Sequence, residues 1–369
     1  MFIGTLSLNI NTDDLNYGAL MHSWAFQKFI EKHFGYKTEI IDYTTPQLQG
    51  KGLKYPVLYL IREGSIRQVV SSLLKTVTFA KRYDKFKSFI GRELRVSSIK
   101  YTQDSLNKAT LPYSVVICES DVIWSTDFFK GGFDKTFFCY LDSMKSLKKI
   151  IYAASMANAD LNEKQAAMLR EYIKDLKYIS CRESYAVEKV SRYTDQIVHH
   201  VVDPVLLLES DDYESIIGPR IIKENYLLIY LPVGNNKQVV ENAHLFAIKH
   251  NLKVVEISNS VRSLFKHKVI MDAGIEEWFS LIYHASAIFT DSFHAVCFSI
   301  IFHKDFYSFS RKTGRKIEDV CLQFGLSNRY FTNEFKEQKP IDYSVVDEIL
   351  KLRRAYSIKY LETALGDYS

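Results

Sequence analysis

Between Ile288 and Ile301 the chain reads IFTDSFHAVCFSII: an apolar run, a polar knot of Asp291, Ser292 and His294, then a second apolar run with helical spacing. A strand ending at Thr290, followed at once by a helix, would bring all three side chains to the rim of a sheet. Asp291 or Ser292 can cap such a helix, and His294 can sit in its first turn with no further role. The chemical alternative is that the unpaired N–H groups of the helix start face an anion and His294 moves a proton on it. A helix N-terminus disfavours a charged imidazole, so His294 is expected to be neutral unless an anion or Asp291 compensates. Cations suited to an anionic substrate follow the next apolar run, at Arg311 and Lys312.

Three other stretches place polar residues in the same position relative to their elements. In NYGALMHSWAFQKFI, Asn16, Tyr17 and Gly18 open a helix, where Gly18 permits close backbone approach and Asn16 can cap or bind a ligand. In CESDVIW, Ser120 and Asp121 lie just past a strand, with Trp124 shortly after. Trp124 or Tyr17 can stack on a sugar ring or fill the core, and spacing does not separate these roles. In YISCRES, Arg182 stands between a strand and a helix, where it can bind a carboxylate or phosphate or form a packing ion pair. Metal and nucleotide signatures are missing. His199 and His200 are adjacent on a strand and point to opposite faces, and Asp13-Asp14 lacks the spacing of a D-x-D. No G-x-x-x-x-G-K-[ST] or G-x-G-x-x-G occurs. The expectation is chemistry without cofactor or metal.

These positions require strands alternating with helices. Phe2–Ile10 reads as a strand, Tyr17–Phe34 as a helix and Thr38–Ile41 as a strand, followed by YSVVICES, KIIYAAS, YISC and QIVHHVV as further strands. Helices are expected over Asn162–Asp175 and Glu183–Ser191. A second block repeats the alternation from YLLIYLPV to DFYSF, closing with a helix over Arg315–Phe324. The fold expected is α/β, with two Rossmann-like doubly wound domains and a long C-terminal helix. The domains would span residues 1–209 and 210–340, with the helix in 341–369. The acidic-then-basic stretch ESDDYESIIGPRIIKEN reads as the linker. Residues 62–100 read as a basic amphipathic insertion, with ten Lys or Arg against three acidic residues. Ile66, Val69, Val70, Leu73, Leu74 and Val77 form its apolar stripe. Such a segment either packs on its domain or rests on an anionic membrane surface.

Composition narrows the class. With 369 residues, 47% hydrophobic and 25% charged, the chain is long enough for two cores and too apolar for disorder. A net charge of +5 with no nucleic-acid-binding motif does not point to DNA or RNA. Five dispersed cysteines without C-x-x-C spacing indicate reduced thiols. With no signal-peptide pattern and no run of about 18 apolar residues, the expected location is the cytoplasm. The oligomeric state is not set by the sequence.

Taken together, NYGALMHSWAFQKFIEKHFGYKTEIIDY, CESDVIW, IYAASMANADL, ISCRESYAVE, VVDPVLLL and TDSFHAVCFSIIFHKDFYSF resemble the polysaccharide pyruvyl transferase family. They occur in the family's order, from about residue 16 to residue 312. Where the family pattern is G-S-D-x-x-W, this chain has Glu119 in place of the glycine. The resemblance implies a fold like the B-type glycosyltransferases, with the site in the cleft between domains. It implies transfer of pyruvate from phosphoenolpyruvate to a sugar as a cyclic ketal, the acceptor being a lipid-linked sugar of a capsule or exopolysaccharide. The family's histidine carries over to His294, with Asp291 beside it, and its donor-binding lysine carries over loosely to Lys312. Arg182, Ser292 and Arg311 would join the donor site. Asn16, Tyr17, Gly18, Asp121 and Trp124 would hold the acceptor. Two rival expectations are a glycosyltransferase using a nucleotide sugar and a glycan-binding subunit without catalytic activity.

Overall fold

In the computed structural model, the described residues are 1–11, 15–48, 66–157, 160–232, 236–258, 267–310, 315–332 and 334–366, with side chains described from residue 77 onward in the helix that begins at Ile66. Among the described residues, two all-parallel sheets are built from thirteen strands. The first contains β1 (Phe2–Leu6), β2 (Lys37–Tyr43), β3 (Val96–Tyr101), β4 (Val115–Glu119), β5 (Lys148–Ala154), β6 (Tyr178–Cys181) and β7 (Val198–His200). Their spatial order is 3-2-1-4-5-6-7. The second contains β8 (Tyr226–Tyr230), β9 (Lys253–Ile257), β10 (Lys268–Ile270), β11 (Ala287–Thr290), β12 (Asp305–Phe309) and β13 (Tyr330–Phe331), in the order 10-9-8-11-12-13. Each half therefore turns from one winding direction to the other between its first and fourth strands, the doubly wound arrangement. The strands follow from their composition. VVICE in β4 and YLLIY in β8 are buried at every position, as parallel strands covered on both faces require.

Helix Tyr17–Phe34 begins where the Asn16 side chain accepts from the Ala19 N–H, and it ends at Gly35 in the left-handed region (φ 67°). The basic segment is not an insertion. Helix Ile66–Glu93 is the crossover between β2 and β3, and β3 is the edge strand of the first sheet. The alternation of β3 was hidden because only Tyr101 among its residues is buried. The helix packs through Phe86 and Phe89. Three of its cations are engaged within the chain: Arg82 donates to the Leu15 carbonyl, Lys85 pairs with Glu277 at 2.6 Å, and Arg92 pairs with Glu276. Arg95, just beyond the helix, pairs with Glu31. Of the expected apolar stripe only Val77 has a described side chain, and it is exposed.

The stretch read as a linker is also packed. It forms a short 3-10 helix, Ser210–Ile216, whose Tyr213 is buried against Trp24 of the first domain and Phe279 and Phe298 of the second. The C-terminal helix, Tyr343–Gly366, starts on the second domain, where the Tyr343 hydroxyl donates to the Lys304 carbonyl. It then crosses to the first, where Arg354 donates to the Leu206 carbonyl and the Tyr360 hydroxyl to that of Ile151. One apolar core consequently runs through both domains. All five cysteines are buried and free. No helix among the described residues is long and apolar enough to cross a membrane.

Candidate active site

In open parallel sheets, the crevice lies beyond the carboxyl ends of the strands that flank the change of direction. Here the two crevices face one another. A cavity of about 120 Å³ is lined by Leu15, Asn16 and Asp121 from the first sheet's rim, and by Tyr230, Leu231, Pro232, Ile257 and Ser258 from the second. Ser292, Phe293 and His294 enter from the end of β11, and Arg82 and Lys316 add two cations.

The second domain contributes the imidazole. Helix Phe293–Ile301 is capped by the Ser292 hydroxyl, which accepts from the Ala295 N–H. His294 lies in the first turn, buried and against the backbone of the first domain: a methyl group at Gly18 would overlap its ring at Nδ1. That close approach explains the glycine. The Nε2 atom has no hydrogen-bond partner and lies 3.8 Å from Asp203 Oδ2. Burial, joined by the charges of Arg182 and His22, pushes the His294 imidazole down to about 3 against the opposing pull of Asp203 and Asp121. Without a bound anion it is a neutral base.

The first domain contributes a buried ionic group. One turn along the helix from Gly18, His22 Nδ1 lies 2.8 Å from Glu119 Oε2, and its Nε2 is 3.8 Å from Asp121 Oδ2. The Ser23 hydroxyl donates to the other Glu119 oxygen. Burial alone would push His22 down, but the Glu119 charge and the contacts with both carboxylates outweigh it and hold His22 at about 10. Burial raises the Glu119 carboxyl, with His22 acting against that rise. Asp121 is held well below the ordinary carboxylate range, because its interactions with His22 and the charges of Arg182 and Lys316 overcome its burial. Ser120 and Asp121 both adopt left-handed backbone (φ 49° and 51°), each at a cost of about 1–3 kcal/mol. The turn is pinned by Ser120 N–H to the Tyr152 carbonyl and Ser155 N–H to the Asp121 carbonyl. The strain falls on residues 120 and 121, while Glu119 remains in β4, so the missing glycine does not disturb the turn.

Arg182 lies behind the cavity and does not line it. Its Nη1 donates to Asp203 Oδ2 at 2.6 Å and to the Ser120 hydroxyl at 3.0 Å, and its Nε to Glu183 at 3.2 Å. Its guanidinium carbon sits 4.4 Å from the Phe293 ring centroid, and Nη2 has no hydrogen-bond partner. The packing ion pair and the anion site left open by spacing thus share one residue, with most of its donors already committed.

The expected sugar-stacking residues are corrected. Trp124 is wholly buried, stacked on Phe138 at 4.7 Å, with its indole N–H on the Phe137 carbonyl. Tyr17 is wholly buried between the domains, stacked on Trp278 at 5.1 Å with its hydroxyl on the Ala273 carbonyl. Neither ring lines the cavity. Asp291 is buried and is not among the residues lining the cavity. Arg311 and Lys312 lie outside the described residues. Sequence reasoning missed His22, Asp203, Arg82 and Lys316. Two signals were available: His22 follows Gly18 by one helical turn, and Glu119 supplies a carboxylate where the family pattern has glycine. Among the described residues, no group of three or more His, Cys, Asp or Glu side chains could hold a metal ion.

Among known structures, the chain is similar to UDP-GlcNAc 2-epimerase from Neisseria meningitidis at 10% identity, covering 98% of this chain and 93% of that one, with a TM-score of 0.49. It is similar to the Methanocaldococcus jannaschii epimerase at 12% identity (95% and 91% covered, TM-score 0.44). E. coli ADP-heptose LPS heptosyltransferase II follows at 8% (97% and 98%, TM-score 0.38). These likenesses are too coarse to bear on chemistry. No curated protein sequence matches the chain significantly. The polysaccharide pyruvyl transferase family model matches residues 16–313, from the cap of the first helix past the His294 rim to just beyond β12. On that match the chain belongs to the polysaccharide pyruvyl transferase family.

Proposed function

We propose that the chain transfers pyruvate from phosphoenolpyruvate to two hydroxyls of one sugar, closing a cyclic ketal and releasing phosphate. The observation that carries this reading is a neutral, buried His294 at the junction of both crevices, in a cavity that also presents Arg82 and Lys316. The reaction adds one hydroxyl across the donor's C=C bond. That hydroxyl's proton leaves as the C–O bond forms, and a proton reaches the methylene carbon, making it the methyl group. His294 relays this proton, accepting it from oxygen and giving it to carbon. The second hydroxyl then replaces the phosphate, whose departing oxygen takes the second proton. Arg82 and Lys316 balance the donor's phosphate and carboxylate, and where charge builds on the leaving group they act most strongly. Arg182, behind the cavity, adds its positive charge to the same anion's surroundings, and Lys312 and Arg311, after β12, are proposed to join them. Asn16, Asp121 and Ser292, which line the cavity, orient sugar hydroxyls in this scheme. No metal or other cofactor enters the scheme.

The test is phosphate release from phosphoenolpyruvate across a panel of free and lipid-linked hexoses, with the product mass read on the sugar. Phosphate release accompanied by a pyruvate ketal supports the reading. Release of a nucleotide from a nucleotide sugar, with phosphoenolpyruvate untouched, would replace it with glycosyl transfer. A lipid-linked acceptor would bring the enzyme to an anionic surface. Lys81 and Lys87, both exposed on the crossover helix, are the residues whose change to Glu should then reduce cosedimentation with anionic vesicles.

A further inference from the structure

We propose that His22 is a positioning residue for the proton relay: a second imidazole, fastened to Glu119 and Asp121 on the wall opposite, that sets the charge His294 experiences across the seam. The inference rests on the reading of His294 as the relay. Its basis is the geometry of two buried rings, 6.0 Å apart between centroids and inclined by 24°. Both turn an Nε2 without a hydrogen bond towards a carboxylate oxygen 3.8 Å away, Asp121 for His22 and Asp203 for His294. They differ at Nδ1. That of His22 is bonded to Glu119, whereas that of His294 faces the bare backbone of Gly18.

The difference decides which ring carries a proton. Glu119 is wholly buried, and a buried carboxylate is not left uncompensated. Its hydrogen-bonded partner is His22, and Asp121 adds a second negative charge on the far side of the ring. The groups facing this pair are Ser23 on the same helix, Glu119 and Asp121 from β4 and its turn, Asp203 after β7, Arg182 after β6, and His294 itself. Around His294, Asp203 and Asp121 favour a proton, while Arg182 and His22 disfavour one. Arg182 is charged at all working pH values, so His22 is the opposing cation that a neutral side chain can replace.

A proton relay must release what it accepts, and release to carbon is the difficult half. An imidazolium at His22 makes a protonated His294 a stronger acid, and at this spacing the effect amounts to about one to two pH units. Removing the cation should therefore slow turnover while leaving donor binding nearly untouched.

The experiment uses the full chain labelled with 15N-histidine. At pH 8.5 the wild type should show an imidazolium that is absent from the paired variant His22→Gln/Glu119→Gln, which removes both members of the ion pair together. The His294 resonance, identified by its loss in His294→Gln, should move its midpoint upward in the paired variant, by about half to one pH unit because the Glu119 charge leaves with the cation. Turnover should fall about tenfold or more, with the donor KM within about twofold. If the paired variant does not fold, His22→Lys, which keeps a cation on Glu119, should hold the His294 midpoint at its wild-type value. No such imidazolium at pH 8.5, an unmoved midpoint in a folded paired variant, or a raised midpoint in His22→Lys would overturn the proposal. The midpoints are read without substrate. A chain that shows them and transfers no pyruvate would refute the proposed reaction and leave the His22–His294 coupling standing.

Discussion

The two walls of the cleft each carry one buried histidine, and the walls treat them in opposite ways. His22 on the first domain is held up at about 10, and His294 on the second is pushed down to about 3. Burial is not what distinguishes them, because desolvation lowers both. The difference is a carboxylate in hydrogen-bond contact: His22 touches Glu119 at 2.8 Å, whereas the nearest carboxylate oxygen to His294 is 3.8 Å away and already accepts from Arg182 and Ser120. A direct partner reverses the effect of burial, and a shared one at longer range does not.

That contrast can be broken most severely at its neutral member. His294→Ala should lower turnover by about a hundredfold or more without loss of folding, because the ring makes no hydrogen bond through Nε2. Near-normal phosphate release from that variant would remove His294 from the chemistry. The next largest effect is expected at the seam. Gly18→Ala leaves the helix backbone content but places a methyl group into the His294 ring. Turnover should fall about tenfold, with a shifted His294 resonance, and unchanged kinetics would show that the walls are less tightly apposed than the geometry demands.

Stability against pH separates the two walls without any substrate. His22 has a folded-state pKa above its unfolded value of 6.5, so its contribution is complete below 6.5 and is lost as pH rises towards 10. His294 has a folded-state pKa below 6.5, so the folded chain is destabilised as pH falls from 6.5 towards 3, where the unfolded chain binds the extra proton. Each group can change stability by at most about 1.4 kcal/mol per pH unit inside its window. Denaturant titrations should show the acid limb flattened in His294→Gln and the alkaline limb flattened in the paired His22 and Glu119 variant. Identical profiles for all three proteins would mean that the walls do not differ in charge. The smallest effect is expected at Trp124. Trp124→Phe should cost about 1–2 kcal/mol, through the lost bond to the Phe137 carbonyl and lost packing volume, with the acceptor requirement unchanged. A raised acceptor KM would restore Trp124 to the sugar site.

The sequence by itself determined the parts that depend on neighbours along the chain. The helix Tyr17–Phe34 could be read with its ends, because Asn16 caps it, Gly35 stops it and its apolar spacing is regular. The placement of Ser292 and His294 just beyond β11, and of Ser120 and Asp121 just beyond β4, followed from where each apolar run ends. The edge strand β3 escaped detection because its exposed face lacks the apolar signal, only one of its residues being buried. The aromatic rings were equally opaque: Trp124 and Tyr17 sit next to site residues in the chain, yet their side chains turn into the core and the domain seam.

Only the tertiary structure decided which histidine carries charge. Glu119 lies 97 residues from His22, and Asp203 comes from a third segment to meet Arg182, Ser120 and His294. A side chain's proton affinity depends on the charges within a few ångströms and on the water excluded around it, and both are properties of the packed interior rather than of the local sequence.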